Sequence, residues 1–276
     1  MKQGIIPVFT GGLGNQMFVV AAAFISHKEK KVPLYLLKNT LDNNKHNVNN
    51  FDYNDTIFKY IGIHLDKTFN EIKDDDEYKY FTYHKILPFQ QWNVNEIEDG
   101  TIMYSYYQYY PVLQPFEKDL RLIFSIGLDN HRLDLSQRFN FTERVAFLHV
   151  RRGDFLEHQD IHYLTSDEYY IHCIKQIYNQ VDKIIIISDD MTWIKENKKF
   201  QTIKSILFES NDEIETLALM SLCYGGAICS NSTYAWWGAF LGAYSVRAPV
   251  FVPKKWINVE EENIDLFPKD WNVIDL

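Results

Sequence analysis

The chain has 276 residues, 46% of them hydrophobic and 16% aromatic, and a formal net charge of −9. That length and apolar content suffice for two compact units or for one large α/β domain. The charge argues against a nucleic-acid partner, since binding a polyphosphate needs a basic footprint that is not visible at whole-chain level.

In chain order, residues 5–9 read as an apolar strand, 11–14 as a glycine-rich turn, 15–27 as a helix and 32–37 as a second strand. Strand, loop, helix, strand is the repeating unit of a parallel sheet. Residues 38–50 are Asn-rich and aperiodic, which predicts a loop. Residues 51–100 carry little period and include the acidic run Asp74, Asp75, Asp76, Glu77. A strand is expected over 101–107 and a helix over 115–124, with Pro115 in its first turn.

Past a boundary expected within 127–143 the pattern sharpens. Residues 145–150 form a buried strand. Thr165 and Glu168 then make a capping box for a helix with Tyr170, Ile171, Ile174, Ile177 and Tyr178 on one face. A strand over 184–187, a helix over 190–199 and a strand over 206–208 follow. Ser210 and Glu213 supply a second capping box, ahead of Ile214, Leu217, Ala218, Ser221 and Leu222 at helical spacing. A strand over 226–229, a helix over 232–242 and a strand over 250–252 complete the series. This alternation marks a doubly wound sheet, whose ligand crevice lies beyond the carboxyl ends of its strands.

Cys173, Cys223 and Cys229 form an odd set without a C-x-x-C pair, so buried free thiols are expected rather than disulfides or zinc. The longest apolar run, 17–25, is far shorter than the roughly 20 residues of a spanning helix. The first residues lack the pattern of a secretory signal. A cytoplasmic protein is the expectation, in which the N-x-[ST] triplets at Asn140 and Asn231 carry no glycan.

Four segments carry chemistry. The first, Gly11-Gly12-Leu13-Gly14-Asn15-Gln16, leaves a strand and opens a helix, where Gly12 and Gly14 either admit a ligand or serve a tight turn. A dinucleotide fingerprint fails there, because Met17 holds the third glycine position and the second strand ends at Lys38 without an acid. The second, His149-Val150-Arg151-Arg152-Gly153-Asp154, brings two arginines out of a buried strand. Guanidinium forks match phosphate oxygens, and Asp154 could hold one of them while leaving the other for ligand. The alternative is an ion-pair cluster between domains. The third, Ser230-Asn231-Ser232-Thr233, is a polar loop entering a helix, suited to a diphosphate or ribose and equally to plain capping. The fourth, Ser188-Asp189-Asp190, either reads the N–H edge of a guanine or caps the next helix. Asp74 to Asp76 spell a D-x-D metal motif by letter, but no apolar strand precedes them, so a solvated charge run is the better reading.

The pieces Gly-Gly-Leu-Gly-Asn-Gln-Met-Phe at 11–18, His-Val-Arg-Arg-Gly-Asp-Phe at 149–155, Ser-Asp-Asp-Met-x-Trp at 188–193 and Ser-Asn-Ser-Thr-Tyr-Ala-Trp-Trp-Gly-Ala at 230–239 come in order over most of the chain. Together they resemble the bacterial α-1,2-fucosyltransferases of glycosyltransferase family 11. One departure is Val19-Val20-Ala21, where the family often has Gln-Tyr-Ala. The resemblance implies a GT-B-like α/β fold of two Rossmann-like units facing across a cleft. It divides the chain into an acceptor-side domain over 1–135 and a GDP-fucose-binding domain over 136–276. It implies inverting transfer of L-fucose from GDP-β-L-fucose to the 2-hydroxyl of a galactoside in glycan or O-antigen synthesis, with no metal or other cofactor. Membrane contact would be peripheral, at the inner face. Carried over, Arg151 and Arg152 meet the diphosphate, and His149 with Asp189 or Asp190 lies near guanine or ribose. Ser230, Asn231, Ser232 and Thr233 line the phosphates, Asn15 with Gly12 and Gly14 faces the reaction centre, and Asp154 stands beside the arginines. Another nucleotide-sugar transferase, or a nucleotide-sugar-binding protein without turnover, would keep the same segments.

Overall fold

The computed structural model describes residues 4–37, 53, 56–61, 63–65, 80–139, 141, 144–200, 205–242, 248–258 and 264–276. The expected loop over 38–50, the acidic run at 74–77 and the Asn140 triplet start lie outside them. The chain divides into two compact units, Met1–Gly127 with Asn263–Pro268, and Leu128–Glu262 with Lys269–Leu276.

The first unit runs β1 (Ile5–Pro7), α1 (Leu13–Lys30), β2 (Tyr35–Leu37), β3 (Ile63–Leu65), β4 (Thr82–His84), β5 (Thr101–Met103), α2 (Tyr110–Leu113) and α3 (Glu117–Ile126). Strands β1, β5 and β4 form a parallel sheet in that order, and β2 pairs parallel with β3. A parallel bridge between Ile5 and Leu34 brings the start of β2 to β1. Helix α1 is buried over most of its surface, including Met17 to Ala23, which explains its near-continuous apolar sequence. It stops at Lys31, in the left-handed region, with His27, Lys28 and Lys30 placed favourably against the helix dipole.

The second unit runs α4 (Asp129–Arg138), β6 (Val145–Val150), α5 (Asp167–Ile177), β7 (Lys183–Ser188), α6 (Met191–Glu196), β8 (Ser205–Leu207), α7 (Glu213–Ser221), β9 (Gly226–Ile228), α8 (Thr233–Gly242), β10 (Val250–Pro253) and β11 (Asn272–Ile274). Its six strands form one parallel sheet in the order β11-β10-β9-β6-β7-β8. The central strand β6 is buried at every residue, as parallel strands covered on both faces are. Helix α8 is almost wholly buried, with Trp236 stacked on Phe240 at 4.9 Å and edge-on to Trp237 at 5.0 Å.

Three expectations need correction. The boundary at 135/136 falls inside α4, which belongs to the second unit because Arg132 Nε donates to Ser221 on α7 at 2.8 Å and Arg138 pairs with Glu215. The N-cap of α5 is Ser166, which accepts from Tyr169 N–H, and the Thr165 hydroxyl is drawn away to Asn231 at 2.8 Å. The N-cap of α7 is Asp212, whose carboxylate accepts from the N–H groups of Ile214 and Glu215, while Ser210 bonds the Glu215 carboxylate. In both cases a neighbouring side chain reached the orphan N–H groups better than the one expected.

Cys173, Cys223 and Cys229 are buried free thiols, and burial pushes the Cys173 thiol up to about 12. Such thiols stay protonated and unreactive. Among the described residues no helix is long and apolar enough to cross a membrane.

Candidate functional site

The second unit builds its polar cluster where β6 and β7 end together. Their register pairs Val150 with Ser188, so residues 151–154 emerge beside 189 and 190. Arg151 makes ion pairs with Asp154 through Nη2 at 2.7 Å and with Asp189 through Nη1 at 3.0 Å. Its guanidinium lies over Phe155, whose ring stacks on His162 at 4.2 Å. Arg152 Nε donates to Asp190 at 3.2 Å, and its guanidinium sits 4.0 Å above Trp193. Arg152 therefore has a fixed plane, set by a hydrogen bond at one edge and an aromatic face beneath. Among the described residues the side-chain ion pair of Arg152 is made through Nε.

Asp189 also accepts from the Arg152 backbone N–H at 2.9 Å. That approach needs Gly153, because a Cβ there would come within 2.5 Å of the Asp189 carboxylate. Asp190 caps α6 by accepting from Trp193 N–H at 3.0 Å while it holds Arg152. Each arginine has an acidic partner: Asp154 and Asp189 hold Arg151, and Asp190 holds Arg152. Two guanidiniums face three carboxylates, so the cluster is a built mount rather than a bare patch of positive charge.

His149, near the end of β6, is 5% exposed, and its Nδ1 shares a hydrogen bond with Ser230 Oγ at 2.9 Å. Burial, with a smaller contribution from the Arg151 charge, holds its pKa down to about 3. The imidazole is therefore neutral throughout the physiological range. In the unfolded chain the ring takes a proton near 6.5. The His149 contribution to stability is thus level above about pH 6.5 and declines by as much as about 1.4 kcal/mol per unit as pH falls from there towards 3. His149→Gln is expected to flatten this acid limb in urea titrations at a series of pH values. A limb of unaltered slope would remove His149 as its source.

The loop 230–233 divides in two. Asn231 is 3% exposed and its side chain bonds protein groups at both ends: Oδ1 accepts from Thr165, and Nδ2 donates to the carbonyls of Tyr163 and Trp256, both at 2.7 Å. Asn231 was expected against phosphate, and its side chain is instead a tie between three segments. Ser230 is fully buried against His149. Ser232 and Thr233 stay partly exposed at the start of α8, where the Ser232 carbonyl accepts from Trp236 N–H at 2.9 Å.

The first unit has its own cluster beyond β1. Gly11 has φ 72°, and a Cβ there would come within 2.7 Å of Asn15 Nδ2, so only glycine lets the turn close on Asn15. A Cβ on Gly12 would meet nothing within 4 Å, so packing does not demand that glycine. Asn15 Oδ1 accepts from Gln108 Nε2 at 2.8 Å, and Gln16 Nε2 donates to the Gly11 carbonyl at 2.9 Å. Gly14 is buried in the first turn of α1. Sequence reading missed Gln108, which follows a short strand with no periodic signal, and missed Thr165 as the partner of Asn231. Trp193 was visible inside the Ser-Asp-Asp-Met-x-Trp segment, but its place under Arg152 was not.

Comparison with known proteins bears on the family and the fold. The chain is 27% identical to the O-antigen biosynthesis glycosyltransferase WbnK of Escherichia coli, over 90% of this chain and 93% of that one. It is 26% identical to an alpha-1,2-colitosyltransferase of Escherichia coli, over 97% of each. Among solved structures, Arabidopsis thaliana FUT1 in complex with GDP superposes with a TM-score of 0.54 at 10% identity, covering 91% of this chain and 70% of that one. That likeness concerns the fold, which is GT-B-like, an α/β pair of Rossmann-like units with parallel sheets. The family model of glycosyl transferase family 11 matches residues 103–275, well over half of the chain and including both arginines, and the chain therefore belongs to glycosyl transferase family 11.

Proposed function

We propose that the protein transfers L-fucose from GDP-β-L-fucose to the 2-hydroxyl of a galactoside, with inversion and without a metal. The observation that carries this reading is the fixed Arg152 fork beside Arg151 at the carboxyl end of β6, in a chain of glycosyl transferase family 11. The acceptor hydroxyl attacks the anomeric carbon on the face opposite GDP and gives up its proton to solvent or to the departing GDP. The bond from that carbon to the diphosphate oxygen breaks with its electron pair on GDP, and the β-linked sugar becomes α-linked. Negative charge grows on the leaving diphosphate, where positioned guanidinium donors stabilise it. Ser232, Thr233 and the N-terminus of α8 add hydroxyl and N–H donors to the same charge. Asp154, Asp189 and Asp190 orient the arginines, and Asn15, with the open approach at Gly12, faces the sugar. The second unit is read as the donor side and the first as the acceptor side, in an enzyme working in the cytoplasm at the inner membrane face.

A second donor is favoured by the likeness to an alpha-1,2-colitosyltransferase, since colitose is a 3-deoxy form of fucose. The deciding assay offers GDP-fucose, GDP-colitose, GDP-mannose and UDP-galactose with lactose, galactose or N-acetyllactosamine, with linkage read by NMR. Fucosylation at the 2-hydroxyl with an α linkage is expected, at a rate unaffected by EDTA. Preference for another donor, release of GDP independent of acceptor, or loss of activity on chelation would each overturn the corresponding part.

A further inference from the structure

We infer that Gln108 is a positioning residue for Asn15, held in place by the left-handed backbone of Tyr107. The inference rests on the proposed function, in which Asn15 faces the reacting sugar. Tyr107 has φ 53°, a conformation that a bulky residue adopts only when its surroundings impose it. The Tyr107 hydroxyl donates to the His84 carbonyl at 2.9 Å and shares a second hydrogen bond with His84 Nδ1 at 2.8 Å. The two rings stack, Trp92 meets Tyr107 edge-on at 5.2 Å, and His84 Nε2 lies 3.3 Å from the Glu96 carboxylate. The Tyr109 N–H then donates to the Tyr107 carbonyl at 2.9 Å, which puts Gln108 at the apex of a three-residue turn.

From that apex the Gln108 side chain, in a residue 4% exposed, reaches Asn15 Oδ1 with Nε2. Its own Oε1 is buried with no hydrogen-bond partner among the described residues. For packing alone this is a poor choice of residue, because a leucine would fill the space without burying an unsatisfied carbonyl. The amide is explained by the bond it makes. That bond fixes the Oδ1 end of the Asn15 side chain, which lies close against the Gly11 turn. A group that faces reacting atoms needs such support, since small misplacements cost rate steeply.

The test is a double-mutant cycle on the full chain with Gln108→Leu, Asn15→Ala and the pair. Gln108→Leu is expected to lower kcat about 10- to 100-fold while the KM for GDP-fucose stays near the wild-type value. In the Asn15→Ala background the same change is expected to cost nothing further, because Gln108 acts through Asn15. Losses that multiply would overturn the inference while leaving the fucosyltransferase reading intact. A wild-type chain that transfers no fucose removes the functional reading instead. The crystal structure of Gln108→Leu then still decides: Asn15 leaving its place against Gly11 supports the inference, and Asn15 unmoved overturns it.

Discussion

Arg152→Ala is expected to transfer fucose about 100- to 1,000-fold more slowly than the wild type, with its melting temperature little changed. The loss belongs in kcat, because in the proposed reaction the guanidinium meets charge that is fully developed only as GDP departs. The residue is prepared for that task before any ligand arrives: Asp190 fixes Nε at 3.2 Å and Trp193 supports the plane at 4.0 Å. Arg152→Lys retains a charge but neither the fork nor the stack, so it should fall between the two. Arg151→Ala should lower kcat on a similar scale and also raise the donor KM. Arg151 neutralises Asp154 and Asp189, and its removal leaves both carboxylates facing a diphosphate. Steady-state kinetics with GDP-fucose and the best acceptor separate the two patterns. Turnover near wild type in Arg152→Ala would defeat the assignment of the leaving-group charge to this fork.

The second large effect is on stability. Asn231→Leu is expected to destabilise the second unit by about 3 kcal/mol, the scale of several buried polar groups losing partners at once. It strands the Tyr163 and Trp256 carbonyls and the Thr165 hydroxyl at a site 3% exposed. Asn231→Asp should be at least as harmful, because it turns a carboxylate oxygen towards two carbonyls that require a donor. By the usual conversion for a domain of this size, 3 kcal/mol lowers the melting temperature by roughly 6 to 12 °C. Thermal unfolding followed by tryptophan fluorescence reads this directly. A melting temperature equal to wild type would show that the three segments are held by something other than Asn231.

Both effects arise from residues that stood out in the sequence, and the fold ties up the side chain of one of them, Asn231, against protein groups. Arg152 was conspicuous as a charge leaving an apolar strand, which packing alone does not explain. Asn231 was conspicuous in a polar loop opening a helix, where outward and inward orientations read alike. Its orientation came from Thr165, Tyr163 and Trp256, which are distant in the chain and unrecognisable as partners beforehand. Asp189 and Asp190 were left between ligand contact and helix cap. Asp190 is a cap and an arginine partner at once, and Asp189 holds both arginines through different atoms.

By itself the sequence determined the alternation of strands and helices in the second unit, because strands buried on both faces must be continuous apolar runs. Residues 145–150 were read with the same limits as β6, and β7, β9, α8 and β10 within one or two residues. It also placed two arginines at the end of a strand, where a parallel sheet presents its ligand side. The tertiary structure decided the rest. The exposed β11 and the polar α4, with Leu135 its one buried residue, have no apolar pattern to announce them. The choice of Ser166 over Thr165 as a cap turned on Asn231, 66 residues away, engaging the Thr165 hydroxyl. The mount of Arg151 and Arg152 depends on the register of β6 against β7, and the support of Asn15 on a turn more than ninety residues away. Local apolar period is written in consecutive residues, whereas hydrogen-bond partners across a sheet are chosen only when the strands pair.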